Sequence, residues 1–386
     1  MTNPVILAAD RLVDGTGRDG TGRDAAGWLA IDEGRIVEVG VGEPPRRADT
    51  HVSTVIPGLI DTHVHGAMGV DFARVGTDPA PAIDFHARSG STSIVASLAT
   101  AVWNETLDRL RELAPLVSGS SVTALDPAAR PLAGLHLEGP FLSHARCGAH
   151  DPRLLLEPTL ARVDEALDAA GGTLTMVTLA PEIPGAMAAI SRLVEAGVTV
   201  AIGHTDARAD TVRQAVDLGA TVVTHLFNGM APLHHREPGP VGVALTTPSL
   251  VVELIADGHH VDDTAIDLVR RAAPDRVVLI SDAMAATGLG DGHYDLAGSA
   301  VTVTDGVAML ADGSSLAGST APVGLAVRRL LDRGVPLSDV VAATSTTPAR
   351  SLGLPPPALV TGARADLVAL DENTVARVMR AGSWLA

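Results

Sequence analysis

The segment Asp61-Thr62-His63-Val64-His65 carries the first chemically telling spacing in the chain. Residues i and i+2 of an extended backbone project to one side, so His63 and His65 are able to bind one metal ion together. Further groups fall at comparable places: Glu138 in LHLEGPF, His204 in AIGHTDA, His225 in VVTHLFNGM, Asp257, His259 and His260 in IADGHHV, and Asp282 in LISDAM. Each follows an apolar run. Imidazole nitrogen with carboxylate oxygen suits Zn2+, Fe2+, Mn2+ or Co2+ without choosing among them. Four histidines, Glu138 and Asp282 suffice for one or two divalent ions, and two-metal sites of this kind generate a hydroxide nucleophile at neutral pH and polarise a carbonyl.

Those apolar runs are the elements that must position the groups. Eight candidate strands are Val55–Ile60, Thr92–Leu98, Leu132–His136, Thr173–Leu179, Val198–Ile202, Ala220–Thr224, Leu250–Ile255 and Arg276–Ile280. Amphipathic segments separate them, among them Asn104–Val117 with Asn104 as the expected N-cap, Thr159–Ala170, and Ala207–Leu218 closed by Gly219. Alternating strands and helices imply a parallel sheet with crossover helices, and eight such units have the dimensions of an α/β (β/α)8 TIM-like barrel. Tyr294–Ala311 reads as an extra hairpin, and Thr320–Arg333 and Leu337–Leu352 as closing helices. Residues 1–54 and 361–386 read as short strands and turns, so both termini are expected to meet in one discontinuous β domain, with residues 55–360 forming the barrel.

A barrel builds its active site at the C-terminal ends of its strands. Taken singly, each histidine has a bland reading as a surface or satisfied core residue, and Glu138 or Asp282 as a charge at a helix N-terminus. Six groups at matching ends of five strands do not fit that reading; they predict one metal site.

Composition narrows the chemistry. All 28 basic residues of the 386 are arginine. Without lysine there is no Schiff base, no lysine-anchored pyridoxal phosphate, no Walker-type phosphate lysine and no carbamylated lysine bridging two metals. A bridging carboxylate must then be Glu138 or Asp282. A net charge of −17 argues against nonspecific nucleic-acid binding, which needs clustered cations. Cys147 is the single cysteine, which excludes an internal disulfide and suits a reducing compartment. The first residues lack the pattern of a secretion signal and no apolar run is long enough for a membrane span, so the expectation is a cytoplasmic protein with no membrane partner. Gly15-Thr-Gly-Arg-Asp-Gly20 fits G-x-G-x-x-G, but Gly22, Gly27 and Gly34 break any helix after it, and it reads as a turn.

The order DTHVHG, LEGPF, GHT, THLFNGM, HREPG, DGHH, SDAM resembles the amidohydrolase superfamily, and within it the N-acetylglucosamine-6-phosphate deacetylase family. The match runs from Ile56 to about Ala321. The HxH pair alone is shared widely; Glu138 in place of a bridging lysine, with THLFNGM and REPG, is more diagnostic. The resemblance implies that His63 and His65 hold a first metal, His204 and His225 a second, with Glu138 shared. It implies Asp282 as the acid/base and His260 as the group that hydrogen-bonds the acetamide carbonyl. His259 receives no role. Some family members lack the HxH pair and use one ion; this chain keeps it.

The resemblance also implies phosphate recognition by Arg236, reaching the site of a neighbouring subunit in a homodimer. Asn228, Gly229 and His150 match substrate positions, and Ala317 and Gly318 fall in the loop lining the sugar. The implied reaction is deacetylation of N-acetyl-D-glucosamine 6-phosphate, in amino-sugar catabolism and cell-wall sugar recycling. A negative chain does not attract a sugar phosphate at long range, so capture falls to the metals, Arg236 and His150.

The galactosamine epimer stays open as a substrate. Cyclic-amide hydrolases that depend on a carbamylated lysine are excluded. Nucleobase deamination would leave Arg236 without a purpose, and a non-catalytic scaffold of the same fold would not need every ligand and Asp282. Cys147, nine residues after Glu138 in the loop SHARCGAH, is expected to lie near the metals, where it could ligate, gate or oxidise; an inert loop thiol is the alternative.

Overall fold

The computed structural model describes residues 4–15, 22–117 and 132–385. Eight parallel strands form one sheet in sequence order: Leu59–Val64, Ser91–Ala99, Leu132–Glu138, Leu174–Leu179, Thr199–Ile202, Val222–Val223, Val251–Ile255 and Val277–Ile280. The two edges meet where the His65 amide donates to the Ala283 carbonyl at 2.8 Å and the Asp282 amide to the His63 carbonyl at 3.0 Å, nearly closing a barrel. Met176, Ala201, Val222, Val251, Ile255, Val278 and Ile280 fill its interior below the polar mouth. Helices pack their apolar faces around the outside in one large core. The amphipathic pattern behind them is clear in Asp263–Ala272, where Ile266 and Val269 face inward and charged residues face water.

The terminal segments build a second unit, as the composition of the two ends suggested. Seven strands join in one sheet, with Thr50–Pro57 lying between Val5–Val13 and Leu367–Asp371. The sheet folds back on itself into a sandwich: the Ile36 amide on its far strand donates to the Ala363 carbonyl, and Leu7, Leu12, Leu29, Ile36 and Leu367 share the enclosed core.

Three expectations need correction. The run Val55–Ile60 is not one strand. Val55–Pro57 pairs with Leu367–Ala369 in the terminal sheet, and the first barrel strand starts at Leu59. A continuous apolar pattern hid the break because both segments are buried. The shift places His63 inside the first barrel strand rather than beyond its end. Asn104 is not an N-cap: the helix spans Trp103–Leu113, its capping position is Val102, and no side chain caps it. Thr159, by contrast, accepts the Arg162 amide at the start of Leu160–Ala170, and Gly171 closes that helix with a left-handed φ of 55°.

The extra hairpin has three strands, Gly292–Leu296, Ser299–Thr304 and Val307–Leu310, rather than two. The final helical stretch is divided into Leu337–Val341, a π-helical turn at Ala342–Thr346, and Thr347–Ser351. Residues 16–20 of the glycine motif lie outside the described residues.

Candidate active site

Side chains of alternate parity along a barrel strand enter the interior. Met176 and Thr178 on the fourth strand and Val251, Glu253 and Ile255 on the seventh follow that rule, and so do Gly134, His136 and Glu138 on the third. Three further site residues sit just past shorter strands. There the backbone turns sharply: His204, His225 and Asp282 adopt left-handed φ values of 47°, 26° and 51°. Such conformations are costly for side-chain-bearing residues and cluster at functional sites. Gly229 follows the same logic. Its φ is +59° and a Cβ there would lie 2.8 Å from His204 Nδ1, so only glycine leaves the His204 ring in place.

Two groups of ligand atoms converge. His63, His65 and Asp282 form one, and Glu138, His204 and His225 the other, all six buried. Glu138 touches both. Its Oε1 lies 2.8 Å from His225 Nε2 and 3.1 Å from His204 Nε2, and its Oε2 lies 3.0 Å from His65 Nε2. Asp282 Oδ1 is 3.3 Å from His65 Nε2 and 3.5 Å from His63 Nε2.

The donor set fits divalent metal. His63 Nε2 and His65 Nε2 are 3.1 Å apart, as are His204 Nε2 and His225 Nε2, all turned toward one space. Three of the opposite nitrogens are occupied: His63 Nδ1 by Glu253, His65 Nδ1 by the Ser97 carbonyl at 3.2 Å, and His204 Nδ1 by the Arg146 carbonyl at 2.9 Å. Carbonyl partners require Nδ1–H and leave the Nε2 lone pair free for a metal.

Electrostatics agree. Burial works against its ionisation, yet the surrounding imidazoles of His63, His150, His204 and His225 hold the Glu138 carboxyl well below the usual range. The same balance, set by His65 and His63, holds Asp282 below its ordinary value. Burial pushes the His150 imidazole down to about 4. It is neutral, with Nδ1 beside the Thr100 hydroxyl and Nε2 3.3 Å from Glu138 Oε2.

A cavity of about 180 Å³ opens above these groups. His150, Asn228, Gly229, His260 and Gly318 line it, together with His65, Glu138, His204, His225 and Asp282. Ala317 is fully buried in the core beneath the three-stranded insertion and does not reach the cavity. Leu296, Ala297 and Ser299 of that insertion form part of the wall. Arg236 stands on an exposed loop outside the lining, its guanidinium 2.9 Å from His235 Nε2. His259 lines a different cavity, one that Arg88 and Arg328 also line. Cys147 is half-buried and belongs to neither ligand group.

Sequence reasoning overlooked Glu253 and His136. Glu253 is 1% exposed and meets His63; His136 is fully buried, bonded to Ser97 and Thr178, with its ring 4.7 Å from that of His63. The available signal was polarity inside the runs VVELIA and LAGLHLE at inward parity.

A nearly closed parallel barrel with two histidine–carboxylate groups at its C-terminal mouth is the architecture of a hydrolase equipped to hold divalent metal. The chain belongs to the amidohydrolase family, whose model matches residues 54–385. It is similar to N-acetyl-D-glucosamine-6-phosphate deacetylase from Mycobacterium smegmatis, solved as a variant bound to N-acetyl-D-glucosamine-6-phosphate, with 43% identity, a TM-score of 0.91 and 99% of each chain covered. It is 38% identical over 355 residues to N-acetylgalactosamine-6-phosphate deacetylase from Escherichia coli O157:H7, covering 90% of this chain and 92% of that one. A further relative is N-acetylglucosamine-6-phosphate deacetylase from Vibrio furnissii, 38% identical over 302 residues, covering 78% and 74%. No helix among the described residues is long and apolar enough to cross a membrane.

Proposed function

We propose that the protein hydrolyses the acetamide of N-acetyl-D-glucosamine 6-phosphate, giving D-glucosamine 6-phosphate and acetate. The observation that carries the reading is the doubled histidine–carboxylate cluster sharing Glu138, joined in one cavity by Asp282 and His260. One or two divalent ions (Zn2+, Fe2+, Mn2+ or Co2+) held by His63, His65, Glu138, His204, His225 and Asp282 would supply Lewis-acid activation of water and of the amide carbonyl.

The chain's own residues do the rest. Asp282, ionised at neutral pH, accepts a proton as the water oxygen bonds to the acetyl carbon. It then delivers that proton to the sugar nitrogen as the C–N bond breaks. His260 steadies the oxyanion. Burial opposes its charge, but the hydrogen bond and charge of Asp257 raise its pKa, so Nδ1–H binds Asp257 while Nε2–H is left to donate into the cavity. Asn228, the Gly229 backbone, His150 and Gly318 shape the sugar subsite. Arg236 would grip the phosphate of the neighbouring subunit's substrate in a homodimer, which accounts for an arginine set outside its own cavity. The setting is cytoplasmic amino-sugar catabolism and cell-wall sugar recycling.

The likeness to an N-acetylgalactosamine-6-phosphate deacetylase favours a second substrate, the 4-epimer. Acetate release from purified protein, measured with each 6-phosphorylated sugar and with unphosphorylated N-acetylglucosamine, separates the readings. The glucosamine ester should give the highest kcat/KM. Equal rates with and without the phosphate would remove the role given to Arg236, and a preference for the galactosamine ester would reverse the choice of epimer.

A further inference from the structure

Glu253 is a buried carboxylate in the barrel interior to which the proposed chemistry gives no task. It lies on the seventh strand between Val251 and Ile255, which fill the apolar interior, and it is 1% exposed. Taking a carboxylate out of water costs several kcal/mol unless its oxygens are matched. Both are. Thr62 Oγ1 donates to Oε1 at 2.7 Å, and Oε2 lies 3.2 Å from His63 Nδ1. The Leu226 amide also donates to the Glu253 carbonyl at 2.8 Å, tying this strand to the residue that follows His225.

The four histidines of the two ligand groups differ in what backs them. His65 and His204 rest on main-chain carbonyls, and His225 Nδ1 is buried with no hydrogen-bond partner. His63 alone rests on a carboxylate. A carboxylate behind a ligating imidazole fixes its tautomer and ring orientation and makes the metal-facing nitrogen a stronger donor. Thr62, adjacent in sequence to His63, holds the carboxylate in turn, so the first barrel strand carries both the ligand and the clamp on its support.

We infer that Glu253 is a positioning residue that sets His63 and thereby controls metal occupancy of the subsite formed by His63, His65 and Asp282, with little influence on the subsite formed by Glu138, His204 and His225. The inference rests on the two-ion reading above.

Metal-stripped protein titrated with Zn2+ against a chromophoric chelator gives the number of ions per chain and the affinity of each. Wild type should take up two. Glu253→Gln keeps the shape and removes the charge. It should weaken one ion by about 10- to 100-fold, the loss typical when such a supporting group is removed, and leave the other unchanged. His63→Asn provides the benchmark for loss of that subsite. Thr62→Val, which frees the carboxylate without altering it, should shift the same ion in the same direction by less. A folded Glu253→Gln protein that binds both ions with wild-type affinity overturns the inference and leaves the two-ion reading standing. Equal weakening of both ions also overturns it. A wild-type chain that binds no divalent ion overturns the metal reading itself.

Discussion

Asp257 Oδ2 accepts a hydrogen bond from His260 Nδ1 at 2.8 Å, and Asp257 Oδ1 accepts both the His259 and His260 amides. The carboxylate is therefore saturated by the histidine it orients and by that histidine's own backbone, with the Ser319 hydroxyl adding a fourth contact at 3.1 Å. Asp257 thus governs both the direction and the charge of His260.

Asp257→Asn should lower kcat by about 10- to 100-fold, somewhat less than the 10²–10³ typical for deleting an oxyanion donor outright. The sign of the pH effect follows from the charge. Asp257 raises the His260 pKa, and activity needs the protonated ring, so activity is lost as pH rises through that value. Without the carboxylate's charge the loss should begin at lower pH. A kcat profile whose alkaline limb stays in place would contradict this role for His260.

Asp282→Asn separates proton transfer from metal holding. The amide keeps an oxygen toward His63 and His65 but cannot accept a proton, so kcat should fall by about 10²–10⁴-fold while metal content measured by elemental analysis stays near the wild-type level. Turnover retained at more than about a tenth of wild type would take the acid/base role away from Asp282.

Arg236→Ala should raise KM for the phosphorylated sugar by about 10- to 100-fold, the scale of losing one charge-assisted contact, and leave thermal stability unchanged because the residue is exposed. The subunit-crossing arrangement proposed for Arg236 has a sharper test. Mixed dimers of Arg236→Ala and Asp282→Asn chains would contain one site with both groups intact. Co-expression should recover activity beyond the sum of the two variants; no recovery would confine each site to a single subunit.

The eight-strand order was legible because buried parallel strands read as apolar runs and the helices between them as amphipathic stretches. The clustered side chains were legible because His63, His65, Glu138, His204, His225 and Asp282 all sit at the ends of such runs. What escaped notice lay within them. Glu253 and His136 look like isolated polar interruptions, and only strand register places them beneath the same cavity. Val55–Ile60 was misread because a passage from one buried sheet to another leaves no polar mark. Ala317 and Gly318 were expected in the loop lining the sugar; Gly318 lines the cavity, Ala317 is buried beside it, and Leu296 and Ser299 of the insertion add to the wall. Three-dimensional closure of the insertion over the barrel has no periodic signature.

His86 supplies a pH effect independent of catalysis. It is fully buried on the helix Ala80–Arg88, its Nε2 3.0 Å from the Gly66 carbonyl, and burial pushes its pKa from 6.5 down to about 4. The fold holds this ring neutral, whereas the unfolded chain protonates it below about 6.5. Its contribution is therefore fully present above that pH and is lost progressively as pH falls toward 4, by roughly 3 kcal/mol at about 1.4 kcal/mol per pH unit. His86→Gln retains a donor for Gly66 and cannot titrate. Urea denaturation at a series of pH values should show wild type losing stability faster than the variant between pH 6.5 and 4. Because both proteins carry the same ligand groups, acid-driven loss of metal cancels in the comparison. Parallel stability curves would mean that water or a proton reaches His86 in the native state at no cost.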